Sequence, residues 1–273
     1  MSRYILPKGY LSASAIKTLQ TCPRQYEFRY IRGIVNPPNA ALTTGSVAHK
    51  TIEIYYKDAI TSSNRLTPAQ AAELSGDTFE QYIKDNETVM SQEERNEAHR
   101  ILPDIVSRYV DCIGQHITPQ ATEKEFRFKM ACGVDLLGYI DLLYDKGGET
   151  AIADYKVTSK KLTYNDLANS LQFNLYALAT GIGDIQIHNL VKTVGKPVAK
   201  KSTGVDGVVD YASNLRTISH VFDGSQVSHF EYLVESAAKL ISSGIFMPCS
   251  PDSWCCNENW CGYWHLCRGR NNI

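Results

Sequence analysis

The stretch from Val134 to Val157 constrains the fold more than any other part of the chain. Val134, Leu136, Ile140, Leu142 and Tyr144 recur with a period of two, while Asp135, Tyr139 and Asp141 fall on the opposite face. That period is the mark of a strand with one buried side. A Gly147-Gly148 turn follows, then a second apolar run from Glu149 to Val157, so the two runs form a β-hairpin. Further strands are expected at Thr122 to Met130 and at Ile185 to Val194.

Helical patterns lie on both sides of these strands. Ser12 to Ile31 is helical in pattern but broken at Cys22-Pro23, where proline suits the first turn of a second short helix ending near Gly33. Another helix starts after Thr44 and carries Val47, His49, Ile52 and Tyr56. Residues from Pro68 to His116 are rich in Glu, Gln, Ala and Arg and read as two or more helices. A helix with Asn165 as N-cap carries Leu167, Leu171, Leu175 and Leu178 and stops at Gly181. The last long helix opens with Asp223 and Gln226 in capping-box spacing and bears Val227, Phe230, Val234, Ala237 and Ile241 on one stripe. Strands in the middle with helices before and after imply an α/β or α+β sheet flanked by helices.

Composition sets the remaining bounds. The 273 residues are 43% hydrophobic and 21% charged with a formal net charge of -1, which excludes a disordered or fibrous protein and fits one large domain or two small ones. No apolar run is long enough for a membrane helix or a signal peptide, so a soluble, cytoplasmic protein is expected. Near-zero charge argues against a surface coated in basic residues for nucleic acid and leaves room for a locally positive cleft.

In Ile152-Ala153-Asp154-Tyr155-Lys156 the strand period puts Asp154 and Lys156 on one face. If the hairpin brings Asp141 alongside, two carboxylates converge beside a lysine, a set that can hold a hard divalent cation and stabilise a phosphate under attack. The plainer reading is a salt bridge on a solvated strand. Glu125 is either a further cleft residue or a solvated strand residue.

Three more features accompany this pair. Gly45-Ser46-Val47-Ala48-His49 opens a helix and ends in histidine, Gly138-Tyr139-Ile140-Asp141 precedes the Asp-x-Lys strand, and Gln172 and Tyr176 stand one helical turn apart after it. In this order they resemble the RecB-like branch of the PD-(D/E)xK nuclease superfamily. The resemblance runs from Ser12 to Cys267, with Asp rather than the commoner Glu before the lysine. It implies a restriction-endonuclease-like α/β core, a central mixed β-sheet flanked by helices, as one domain over 1–273 with a helical insertion at about 60–120 and a cysteine-rich segment at 249–273. It also implies His49, Asp141, Asp154 and the backbone carbonyl of Tyr155 as ligands of Mg2+ or Mn2+. Lys156 would orient the water and offset charge on the phosphorane, and Gln172 and Tyr176 would line the site and position DNA.

The eight cysteines are unevenly spread, with Cys249, Cys255, Cys256, Cys261 and Cys267 in the last 25 residues. Their spacing suits thiolates on a metal centre. Cys256-x4-Cys261-x5-Cys267 together with Cys22 resembles the iron-sulfur RecB-like exonucleases, including CRISPR-associated and AddB-type members. In those, one N-terminal cysteine joins a C-terminal trio around a 4Fe-4S cluster. The family trio usually begins with a two-residue gap. Here the gap is four from Cys256 or five from Cys255, and Cys256 is taken as the ligand. A zinc centre of Cys256, Cys261, Cys267 and either Cys255 or His265 competes with it. Cys112, Cys132 and Cys249 are expected to be plain buried thiols. Trp254, Trp260, Tyr263 and Trp264 are expected to pack around the centre, or to stack on bases where exposed.

The expected function is therefore a metal-dependent DNA exonuclease of recombination, repair, or phage or CRISPR DNA processing, acting on DNA that is single-stranded or has a free end. Lys160, Lys161, Lys192, Lys196, Lys200, Lys201, Arg24 and Arg29 are candidates to track phosphates. The alternative is a non-catalytic nucleic-acid-binding protein stapled by zinc or iron-sulfur.

Overall fold

A computed structural model describes residues 4–36 and 38–268. In chain order the elements are α1 (Ala13–Thr21), α2 (Pro23–Tyr26), α3 (Ala40–Thr61), α4 (Pro68–Asp85), α5 (Gln92–Cys112), β1 (Thr118–Lys129), β2 (Asp135–Asp145) and β3 (Thr150–Thr158). They continue with α6 (Tyr164–Ala168), α7 (Leu171–Thr180), β4 (Asp184–Val191), β5 (Pro197–Ser202), β6 (Val208–Ala212), β7 (Leu215–Val221), α8 (Val227–Ser242) and α9 (Trp264–Cys267). The described residues divide into two compact units, one of 4–36, 126–138 and 225–268, the other of 38–125 and 139–224.

The strands form one seven-stranded sheet in the order β1-β2-β3-β4-β7-β6-β5. β3 pairs parallel with β4, whereas β2 with β3, β4 with β7, β7 with β6 and β6 with β5 are antiparallel. This is the mixed sheet flanked by helices that the family resemblance implied; the patterning alone gave a sheet flanked by helices. The hairpin closes as read, with Leu142 opposite Ala153 and Asp145 opposite Thr150. Parallel β3 and β4 require a crossover, supplied by α6 and α7.

In the larger unit, α3, α4 and α5 share a core with the sheet. Val47, Ile52, Tyr56, Phe79, Leu102 and Tyr109 pack with Leu142, Ala153 and Tyr155. Each such large apolar side chain contributes roughly 1.5–3 kcal/mol by leaving water. The helix starts are set locally. Capping boxes Thr67/Gln70 and Ser91/Glu94 open α4 and α5, with Pro68 at N1 of α4.

Several boundaries differ from the sequence reading. α3 begins at Ala40, because Asn39 accepts the Leu42 N–H and caps it earlier. The helix expected from Asn165 to Gly181 is two helices. Thr163 makes the cap with Asp166, the chain breaks at Asn169 and Ser170, and α7 ends at Gly181 with φ 73. Gln226 is the N-cap of α8 without a side-chain cap bond, so the expected capping box does not form. Strands β5, β6 and β7 have no counterpart among the strands expected from the sequence.

In the smaller unit, Ser12 caps α1 by accepting the Ala15 N–H, and Cys22 ends α1 and begins α2 in an extended conformation. A π-helical turn, Glu27–Ile31, follows. Leu11 bridges to Leu136, and Tyr4 donates to Glu235 on α8. The stripe of Phe230, Val234, Ala237 and Ile241 is buried as expected. Beyond α8 the segment is mostly turns, anchored where the Tyr263 hydroxyl donates to the Ile34 carbonyl. Among the described residues no helix is long and apolar enough to cross a membrane.

Candidate active site

The hairpin register carries the first two acidic residues to one place. Leu142 faces Ala153, so continuing by one pair sets Asp141 opposite Asp154. Asp141 Oδ2 accepts the Tyr155 N–H at 2.8 Å. Helix α3 adds His49, whose Nδ1 lies 3.4 Å from that same oxygen and whose side chain is 32% exposed. Upstream, Gly138 holds the hairpin's entry, because a Cβ there would stand 2.5 Å from the Phe126 ring. That close approach is the physical reason for glycine in Gly138-Tyr139-Ile140-Asp141.

Asp154 is fully buried. Its Oδ1 accepts Gln172 Nε2 at 3.0 Å, and its Oδ2 lies 2.7 Å from Lys156 Nζ. Gln172 uses both ends of its amide, since its Oε1 accepts from Lys156 Nζ at 3.0 Å and its Nε2 also donates to the Tyr176 hydroxyl at 2.6 Å. The Tyr176 hydroxyl donates to the Tyr139 carbonyl at 2.6 Å, and the side chain is buried, 4% exposed. Sequence reasoning expected Gln172 and Tyr176 to position DNA. In the structure their polar atoms bond to Asp154, Lys156 and the β2 backbone.

The electrostatics follow from this burial. Enclosure pushes the Asp141 carboxyl well above its ordinary range, and the charge of Asp154 adds to that. Burial pulls the His49 imidazole below its usual value, against the attraction of Asp154. For Lys156 burial favours the neutral amine, but Asp154 and Asp141 outweigh it and its pKa is raised. Were both carboxyls ionised beside the one ammonium, the site would carry an excess of negative charge that a divalent cation would relieve.

Among the described residues, no three His, Cys, Asp or Glu side chains stand as a closed metal-binding set. The donors nonetheless fit a cation. Asp154 Oδ2 is buried with no aligned hydrogen bond, so it keeps an unspent lone pair. His49, Asp141 and Asp154 supply the mixed nitrogen and oxygen donors that Mg2+ or Mn2+ accepts.

These groups lie beside an open cleft of about 990 Å3 whose lining includes His49, Tyr155 and Lys156. The cleft carries charges of both signs, where the sequence left room for a locally positive one. Glu53, Asp77, Asp85 and Glu123 line it beside Lys50 and Lys156, and Glu53 pairs with Lys50 and Lys57. Sequence reasoning missed Glu123 and named Glu125, which accepts from the Tyr139 hydroxyl. Glu123 sits mid-strand with φ 47, a left-handed backbone that period-two patterning does not reveal. Burial, then the neighbouring Glu53, raises its pKa. Among the proposed phosphate trackers, Lys161 pairs with Asp210 and Arg24 with Glu27.

The cysteines converge elsewhere, in the smaller unit. Cys22, Cys256, Cys261 and Cys267 line one pocket, as do Cys249 and Cys255. Burial raises the Cys261 and Cys267 thiols, with contributions from Cys22 and Cys256. Cys249 is thus not the unrelated buried thiol expected. It lies in the pocket, half-buried like every other cysteine, Cys112 and Cys132 included. His265 is exposed and does not line the pocket. Trp254 and Trp260 are exposed and meet edge to face at 6.1 Å, whereas Tyr263 is buried.

No curated protein matches the chain. A solved structure described as "Crystal structure of SSO0001" aligns over 96% of this chain and 87% of that one, at 10% identity and a TM-score of 0.42, too loose a match to bear on residues or activity. The family model described as PD-(D/E)XK nuclease superfamily matches residues 10–268. With a mixed sheet presenting Asp154-Tyr155-Lys156 beside Asp141, the chain belongs to the PD-(D/E)XK nuclease superfamily, whose members are metal-dependent nucleases.

Proposed function

We propose that the chain is a DNA exonuclease of the RecB-like branch, dependent on Mg2+ or Mn2+ and acting on single strands or free ends. The observation that supports this reading is the buried Asp154 carboxylate, gripped by Gln172 and Lys156 with Asp141 and His49 beside it. His49, Asp141, Asp154 and the Tyr155 carbonyl would hold the cation. Bound there, it would supply Lewis acidity toward the scissile phosphate and the attacking water.

The chain's own residues do the rest. Lys156 donates to the attacking water and offsets charge on the phosphate oxygens as they crowd. Gln172 fixes the direction of the Lys156 ammonium, and Tyr176 fixes Gln172. Burial keeps His49 neutral near pH 7, which leaves an imidazole nitrogen free to donate its lone pair.

The test is digestion of 5'-labelled and 3'-labelled single strands, blocked or free at each end, with Lys156→Ala as control. Release of short products from one free end only, abolished in Lys156→Ala, is expected. Activity equal in wild type and variant would overturn the catalytic assignment, and cleavage of circular strands as fast as linear ones would overturn the exonuclease.

We further propose that Cys22, Cys256, Cys261 and Cys267 hold a 4Fe-4S cluster of structural role. Their shared pocket supports this, and the exposed position of His265 speaks against the histidine-containing zinc set. Anaerobically purified protein should be brown with about four irons per chain, as such a cluster requires. Colourless protein with stoichiometric zinc would refute the cluster.

A further inference from the structure

Two thiols of the cysteine pocket are left over once Cys22, Cys256, Cys261 and Cys267 are assigned to the cluster. They are not apart from each other. Cys249 Sγ lies 3.7 Å from Cys255 Sγ, sulfur to sulfur across the pocket wall. The chain around them keeps them there. The Cys249 N–H donates to Cys22 Sγ at 3.4 Å, Ser253 N–H donates to the Ser250 carbonyl at 3.0 Å, and Cys256 N–H donates to the Ser253 carbonyl at 2.8 Å. The five residues between the two thiols are thus folded back as successive turns. A disulfide needs sulfurs about 2 Å apart. Side-chain rotation in a segment free of helix or strand hydrogen bonds can close that gap.

We propose that Cys249 and Cys255 form a reversible dithiol–disulfide pair, oxidised by exchange with a small-molecule disulfide, next to the cluster ligands and separate from them. A thiolate of the pair displaces one sulfur of the small disulfide RS–SR, releasing RS− and leaving a mixed disulfide on the protein. The second thiolate attacks that protein sulfur, forms the Cys249–Cys255 bond and releases the other RS−. The two cysteine protons pass to the two released thiolates. One RS–SR is reduced to two RSH while the protein dithiol loses two electrons, and excess RSH reverses the exchange.

The proposal rests on the four-cysteine cluster reading only for leaving this pair unligated, and iron content separates the two. The full chain, purified anaerobically with its metal, is equilibrated in mixtures of reduced and oxidised glutathione, alkylated, and mapped by peptide mass spectrometry, with iron measured on the same samples. Cys249 and Cys255 should lose alkylation together as oxidised glutathione rises and regain it in excess reduced glutathione, with iron per chain unchanged. In Cys249→Ser, a glutathione adduct should accumulate on Cys255 instead. Exposed Trp254, inside the loop, should lose fluorescence on oxidation of the wild type and keep it in Cys249→Ser. Free alkylation of both thiols at every ratio would overturn the pair. So would iron loss in Cys249→Ser or Cys255→Ser as complete as in Cys261→Ser, because the thiols would then be ligands. A zinc-loaded chain that still exchanges at Cys249 and Cys255 would refute the iron-sulfur reading and uphold the pair.

Discussion

The carboxylate site and the cysteine pocket, each proposed above to hold a metal, are ordered in opposite ways. The carboxylates sit on paired strands, and each has partners that hold it without any cation: Asp141 the Tyr155 N–H, Asp154 the Gln172 amide and the Lys156 ammonium. The cysteines sit on turns and short helices, where the order comes from scattered contacts such as Tyr263 to Ile34. A strand register positions side chains whether or not the ligand is present. A run of turns needs the ligand to complete its geometry. Loss of metal should therefore silence the first region and unfold the second.

The sharpest way to break this contrast is to remove the acting groups of the strand site. Asp154→Asn and Lys156→Ala should each lower nuclease activity about 10^2- to 10^4-fold, measured as nucleotide release, while iron content stays at the wild-type level. Iron loss in these variants would show that the two regions are not separable. Next in size is the converse change. Cys261→Ser should strip the iron and lower the unfolding midpoint by roughly 10 °C, the scale of several kcal/mol in a chain of this length. An unchanged midpoint by calorimetry would mean that the turns hold themselves.

A smaller effect concerns the strand region's own stability. His188 is fully buried, its Nε2 donating to Gln186 Oε1 and its Nδ1 accepting from the Tyr109 hydroxyl, and burial pushes its pKa down to about 3. The unfolded chain takes up this proton below about 6.5 and the folded chain does not, so the unfolded state binds more protons between those values. Its stabilising contribution is present above pH 6.5 and is lost at about 1.4 kcal/mol per pH unit on acidification toward 3. Urea unfolding across that range should show this slope in wild type and a flatter one in His188→Gln. The mildest test is Glu123→Gln, expected to raise the Mn2+ concentration for half-maximal activity about tenfold with kcat unchanged. No change in Mn2+ demand would remove Glu123 from the site.

What was legible in the sequence was what a short period encodes. Period-two spacing put Asp154 and Lys156 on one face, and the Gly147-Gly148 turn set the hairpin that brings Asp141 across. Features fixed by competition or by distance along the chain were not. Thr163 and Asn165 are both good caps two residues apart, and only Asp166 reaching back to Thr163 decides between them. β5 carries Lys200 and Lys201, and its strand character lies in its pairing with β6. Cys249 joins Cys22 across more than two hundred residues, and the left-handed backbone of Glu123 has no signature in residue type.

Cys22 occupies the N-cap of α2, a position where serine, threonine or aspartate would offer an oxygen to the first-turn N–H groups, and its side chain makes no cap bond. Thiol sulfur accepts hydrogen bonds poorly, so the short helix gives up about 1 kcal/mol of local stability at this residue. Cys22→Ser therefore splits two quantities that most substitutions change together. It should hold α2 more firmly in the metal-free chain and weaken the metal-bound one, so the sign of its effect reports whether the pocket is loaded.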